Sequence, residues 1–265
     1  MSESPPVLLA RLDDGVARLT LAGPERRNAI NPAAVEAFAA AIESCRLDPP
    51  RALLIDAEGA AFTVGGDLDH FAAHCGDGAA LVAALERMVP TYHRSLLALA
   101  ELPCPSVCAI NGAAAGGGIG IAVACDLRIG VPETVFATGF CGLGLSGDGG
   151  LSWWLPRLIG HSRAAEMLLG GRVVGADEAL AWGLLGRIVA TERLGDEAIA
   201  SARRFAAGPG HALGEMRRLL LASSTATLAE QLVAESEALS RSAADPDARA
   251  GVLAFARGQR PKFRR

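Results

Sequence analysis

Apolar and polar positions alternate along this chain in a repeating order of short strands and helices. Residues 7–21, "VLLARLDDGVARLTL", read as two strands around a tight turn at Asp13–Asp14–Gly15. Asn31 offers a side-chain acceptor just before Pro32, whose fixed φ suits a first helical position, so a helix is predicted to begin there. Val35, Phe38, Ala39 and Ile42 then share one helical face, and Pro49–Pro50 stop it. Residues 51–57, "RALLIDA", read as a buried strand. "EGAAFTVGGDLDHFAAHCGDG" reads as a loop, and 79–102 as a helix kinked at Pro90. "PSVCAI" is a strand that leads through a glycine-rich turn into a short helix of small residues. "DLRIG" and "ETVFATGF" are further strands, a helix starts near Leu151, and the pattern is mostly helical from Leu194 onward. Strand–turn–helix units recur, and nothing resembles a flexible linker.

Composition narrows the class. With 265 residues, 51% hydrophobic and 20% charged, the chain fills a substantial core and is not disordered. A net charge of −4 gives no basic footprint for nucleic acid. No apolar run reaches the ~18 residues of a membrane span. The start, "MSESPPVLLARLDDG", has neither a charged n-region nor a signal-length apolar run. Six cysteines without C-x-x-C spacing read as reduced thiols, and a cytoplasmic location is expected.

Two glycine-rich loops follow apolar strands: "AFTVGGDL" at 61–68 and "NGAAAGGGI" at 111–119. Glycine lets a ligand approach backbone N–H groups that carry partial positive charge at a helix start. Two such groups aimed at one point make an oxyanion hole. The second loop lacks the lysine of a phosphate-binding G-x-x-x-x-G-K-[ST] loop and the spacing of G-x-G-x-x-G. Tight helix–strand packing explains the glycines equally well.

An ordered set of motifs resembles the enoyl-CoA hydratase/isomerase (crotonase) superfamily: "PERRNAI", "AFTVGGDL", "INGAAAGGGIGIAVACDLRI", "GLGLSGDGGLSWWLPRLIG", "GADEALAWGLLGRIV" and "RPKF". The resemblance covers nearly the whole chain. It implies an α/β spiral of strand–strand–helix turns over residues 1–194, then a helical region, 195–265, that builds homotrimers or hexamers made as dimers of trimers. It also implies an acyl-CoA thioester whose oxygen sits between the N–H groups of Val64 and Gly117. Arg26, Asn28, Ala61, Gly65, Gly66, Asp67, Leu68, Gly116, Gly139, Phe140 and Leu143 are expected around that substrate. No metal or redox cofactor is implied; coenzyme A arrives as part of the thioester.

The chain departs from the hydratases of that family. Their two water-activating glutamates fall on Gly120 and Phe140 here, neither of which transfers a proton. Asp148, the only ionisable side chain of "GLGLSGDGG", either caps the following helix or carries a proton, as in family isomerases with an aspartate in this segment. The expected reaction is a Δ3 to Δ2 double-bond shift. The alternatives are a hydratase with atypical residues, a non-catalytic acyl-CoA binding protein, and a dehalogenase-like enzyme with Asp148 as nucleophile. His70 and His74 read as surface or pocket-wall residues rather than metal ligands. Asp67 reads as a brace for its loop, Glu86 and Glu101 as solvated, and Trp153–Trp154 as core or subunit contacts. Arg26, Arg257 and Arg260 either meet coenzyme A phosphates or are surface charge.

Overall fold

The computed structural model describes residues 5–76 and 78–263, so the first four residues of the amino-terminal segment lie outside it. Strands β1 (Val7–Arg11) and β2 (Val16–Leu21) form the antiparallel hairpin, with Val7 opposite Leu21. Gly15 turns it at φ +82°, a conformation that favours glycine. Helix α1 (Pro32–Leu47) starts as its sequence dictates: the Ala34 N–H donates to the Asn31 side chain. Its buried stripe is Val35, Phe38, Ala41, Ile42 and Cys45. Ala39 stands half-buried at the margin, because the face is centred one position round from the expected one.

The chain then winds. Strands β3 (Ala52–Ala57) and β4 (Ala61–Thr63) precede helices α2 (Leu68–Ala72) and α3 (Gly78–Glu101). Strands β5 (Ser106–Ile110) and β6 (Ala113–Ala115) precede α4 (Ile119–Val123). Strands β7 (Leu127–Gly130) and β8 (Val135–Ala137) precede α5 (Leu151–Ile159) and α6 (His161–Leu168). Strand β9 (Val173–Gly175), helix α7 (Ala176–Trp182) and β10 (Arg187–Ile188) close the series. After the β1–β2 hairpin, which joins the large sheet whole, each turn of the spiral gives one strand to each of two sheets, ordered β1-β2-β3-β5-β7-β10 and β4-β6-β8-β9. Pairing is parallel except at β1–β2 and β8–β9, so the successive turns return through helices. The segment expected to be a plain loop holds β4 and α2; both are too short to leave a periodic signal.

The main core lies among the sheets, α1 and α3, and includes Leu19, Ile42, Ile55, Phe62, Leu99 and Phe136. The other face of the large sheet is covered by α8 (Leu194–Ala206). Its Leu194, Ala198, Ala202 and Ala206 meet Val16, Leu54, Val107 and Ile129. The helical stretch that starts at 194 therefore first completes the sheet's cover. Helices α9 (Gly210–Ala222), α10 (Leu228–Ala244) and α11 (Pro246–Ala256) follow it. Among the described residues, no helix is long and apolar enough to cross a membrane.

Two arginine clusters tie this outer layer together. Buried Arg217 on α9 donates to Asp126 and to the carbonyls of Leu99, Ala100 and Leu102 at the end of α3. Glu215 accepts from Arg241 on α10 at 3.0 Å and from Arg218. Arg241 first, then Arg218, hold its carboxyl down to about 2 from an ordinary 4.5. A depressed folded pKa stabilises fully above the unfolded value and is lost as pH falls through the folded one. Acid titration followed by circular dichroism is therefore expected to show weakening between about 4.5 and about 2, and Glu215→Gln to flatten that part of the curve.

Candidate active site

The two glycine loops meet at the ends of β4 and β6, neighbours in the small sheet. Gly65 has φ +82°, and a methyl group there would stand 2.8 Å from the Ala115 carbonyl oxygen. Glycine is thus required where the backbones touch. A methyl on Gly116, φ +50°, would lie 4.0 Å from the Gly66 nitrogen.

The Val64 N–H is engaged: it donates to the Arg27 carbonyl at 3.2 Å. Gly65 donates to Thr63 Oγ1 and Asp67 to the Ile30 carbonyl. Val64 therefore does not present a free donor, contrary to its motif position. None of the hydrogen bonds among the described residues uses the Gly66 N–H. Gly117 lies in the first turn of the short 3-10 helix Gly116–Gly118, where N–H groups have no intrahelical acceptor.

Asp148 sits over Gly117. A methyl on Gly117 would be 2.8 Å from Asp148 Oδ2. The other carboxylate oxygen, Oδ1, accepts from His93 Nε2 at 2.5 Å. Asp148 does not cap α5. The N-cap is Gly150, with φ +73° and no side-chain cap. The left-handed Gly149 and Gly150 stand between the aspartate and the helix, turning its side chain toward Gly117. The carboxylate is partly covered, with 30% of its side-chain surface exposed.

Helix α3 supplies two groups that the sequence reading missed. His93 faces Asp148, and buried Tyr92 donates its hydroxyl to the Gly117 carbonyl at 2.8 Å. Burial, with the Asp148 charge second, holds the Tyr92 phenol well above its ordinary pKa, so it remains a donor. Tyr92 is the chain's one tyrosine, which is the signal that could have drawn attention to this helix turn.

The hydratase carboxylates have no substitute at their own positions. A methyl at Gly120 would collide with the Gly149 carbonyl oxygen at 2.4 Å, and Phe140 is buried in the apolar core. Leu143 is exposed, and Gly139 holds a left-handed turn at φ +71° beside Phe140.

Other expected substrate residues face inward or elsewhere. Asn28 is buried; it accepts from Gly23 N–H and donates to the carbonyls of Glu58 and Ala61. Ala61 is buried in β4, and Leu68 is exposed at the start of α2. Asp67 caps α2 through His70 N–H and pairs with Arg26 at 2.9 Å. Burial pushes its carboxyl up, but the bonds from His70, Asn31 and Arg26 outweigh this and leave it below the usual range. Arg26 also reaches Asp69, and an open groove runs past Arg26, Asn31, Asp67 and His70. His74 Nδ1 bonds to the His70 carbonyl. Trp153 and Trp154 pack edge to face, with the Arg157 guanidinium over Trp153. Arg257 and Arg260 are exposed.

The family model for enoyl-CoA hydratase/isomerase matches residues 11–265. The chain is 34% identical over 258 residues to the 1,2-epoxyphenylacetyl-CoA isomerase of Escherichia coli (strain K12), covering 97% of each. It is also 34% identical over 253 residues to a protein of Rhodobacter capsulatus named "Probable enoyl-CoA hydratase", covering 95% of each. A crystal structure of an enoyl-CoA hydratase from Polaromonas sp. JS666 superposes with a TM-score of 0.90 at 29% identity, over 97% of this chain and 99% of that one. The chain belongs to the enoyl-CoA hydratase/isomerase family, and its spiral is the crotonase-like fold.

Proposed function

We propose that this chain is an enoyl-CoA isomerase that shifts a double bond from Δ3 to Δ2 with one carboxylate. The observation that carries the reading is Asp148 Oδ2 standing over Gly117, with no acid at the two hydratase positions. The thioester oxygen accepts from the N–H groups of Gly117 and Gly66, the latter replacing Val64. Asp148 Oδ2 takes a proton from the α carbon. The negative charge moves onto the thioester oxygen as a dienolate, where the two N–H groups stabilise it. The carboxylic acid then returns a proton at the γ carbon, leaving the double bond conjugated with the carbonyl.

Tyr92 anchors the carbonyl that follows the Gly117 N–H, and so holds the residue in place, which matters because oxyanion-hole donors act only when positioned. A second reading, water addition, draws support from His93: with Asp148 it makes two proton-transfer groups side by side. One assay separates the readings. Purified protein is given 3-enoyl-CoA and 2-enoyl-CoA of several chain lengths. Conjugated product from the first, with little hydration of the second, supports isomerisation. Efficient hydration of 2-enoyl-CoA with no double-bond shift sinks it.

The outer helices carry the assembly we propose, a homotrimer or a pair of trimers. Leu220, Leu228, Val233, Leu239, Val252 and Phe255 on α9, α10 and α11 are 61–85% exposed in the single chain. Apolar exposure on this scale marks a contact surface. Light scattering is expected to give at least a trimer mass, and the Leu228→Glu/Phe255→Glu variant a smaller one. A monomeric wild type at micromolar concentration would rule the assembly out.

A further inference from the structure

The proton carrier has an asymmetric setting. Asp148 Oδ2 lies against Gly117, while Oδ1 bonds to His93 Nε2 at 2.5 Å. The imidazole itself is half-exposed, with 49% of its side-chain surface open. Its neighbours on α3 are occupied elsewhere: Tyr92 with the Gly117 carbonyl, and Arg94 with Thr91 Oγ1. One edge of the pair therefore faces Gly117 and the other is open to solvent. Histidine is the side chain that takes up and releases protons readily near neutral pH.

We propose that His93 is the proton exit of the site, joining the Asp148 carboxylate to bulk solvent during each turnover. The inference rests on Asp148 being the base proposed above. The steps balance without any oxidant or co-reactant. The α C–H bond breaks and an O–H bond forms on Asp148, while the electron pair passes into the dienolate. The neutral His93 ring passes to its Nδ1–H tautomer by exchange with water, which frees Nε2. The carboxyl turns its O–H toward Nε2 and the proton moves there, giving an imidazolium paired with the carboxylate. The half-exposed imidazolium swings Nε2 out to water, exchanges that proton there and returns. Reversal of the transfer reloads Asp148 with a solvent-derived proton, which is delivered to the γ carbon. The proton that leaves the α carbon is thus not the one that arrives at γ. A carboxylate without such an outlet would carry the same proton across.

The test runs in heavy water with trans-3-hexenoyl-CoA, reading the label at C4 of the 2-hexenoyl product by mass spectrometry. Wild type is expected to place solvent deuterium there in most turnovers. His93→Gln keeps an N–H donor for Asp148 Oδ1 but takes up no proton. It is expected to turn over more slowly and to lower the labelled fraction at least threefold. Merely losing a structural contact would slow the reaction without changing where the proton comes from. Retention of the substrate proton at C4 by wild type overturns the proposal on its own, whether or not the variant folds. Equal labelling in wild type and variant overturns it too.

Phenylacetyl-CoA serves as a second probe, because its α-proton exchanges without any double-bond shift. Exchange catalysed by wild type and slowed at least tenfold in His93→Gln supports the relay even if hexenoyl-CoA gives no product, an outcome that would sink the isomerase reading alone. Hexenoyl-CoA isomerised with its own proton sinks the relay and leaves the isomerase reading standing. No exchange on either probe sinks both.

Discussion

Asp148→Asn is expected to melt close to wild type, to bind acyl-CoA still, and to lose isomerisation by at least ~10²-fold. The stability half of this result follows from the backbone. The start of α5 is built by Gly149 and Gly150 in left-handed conformations, and the Asp148 side chain accepts no helix N–H. An amide at 148 still offers an oxygen to His93 Nε2. The activity half follows from chemistry: an amide takes up no proton near neutral pH. The measurement pairs a thermal melt with steady-state kinetics on 3-enoyl-CoA. A fall in kcat/KM carried by kcat marks a contribution made in the transition state. Unchanged turnover would show that the carboxylate, though aimed at Gly117, is not the base.

Arg217→Met should be the most damaging single change to stability outside the main core, by about 3–5 kcal/mol. The guanidinium is buried and pairs with Asp126 at 2.7 Å. It also satisfies the carbonyls of Ala100 and Leu102 at 2.6 Å and Leu99 at 3.0 Å. Methionine fills similar space but leaves Asp126 without its cation and the end of α3 without its donors, where a positive charge is favourable. For a chain of this size the loss corresponds to a fall in Tm of roughly 10 °C. Arg217→Lys should fall between, because an ammonium cannot span the same set of acceptors. A melt within a degree or two of wild type for Arg217→Met would overturn this account.

The sequence by itself determined the parts that local chemistry controls. Asn31 and Pro32 specified the start of α1 because capping and a fixed φ act within one turn. The glycines at 65 and 116 were legible because a touching backbone with positive φ admits little else. The ordered motifs were enough to place the chain in its family, and the absent acids at 120 and 140 were plain from residue type alone. What only the tertiary structure decided involved partners far apart in the chain. Val64 lost its place as a donor because the Arg27 carbonyl, brought in by the Pro24–Arg26 turn, already takes its N–H. Asp148 was separated from helix capping by the dihedral angles of two glycines, which the residue names permit but do not require. The His93–Asp148 bond joins residues 55 positions apart. It exists because the spiral lays α3 across the loop before α5, and helical periodicity alone does not say which neighbour each face of α3 will meet.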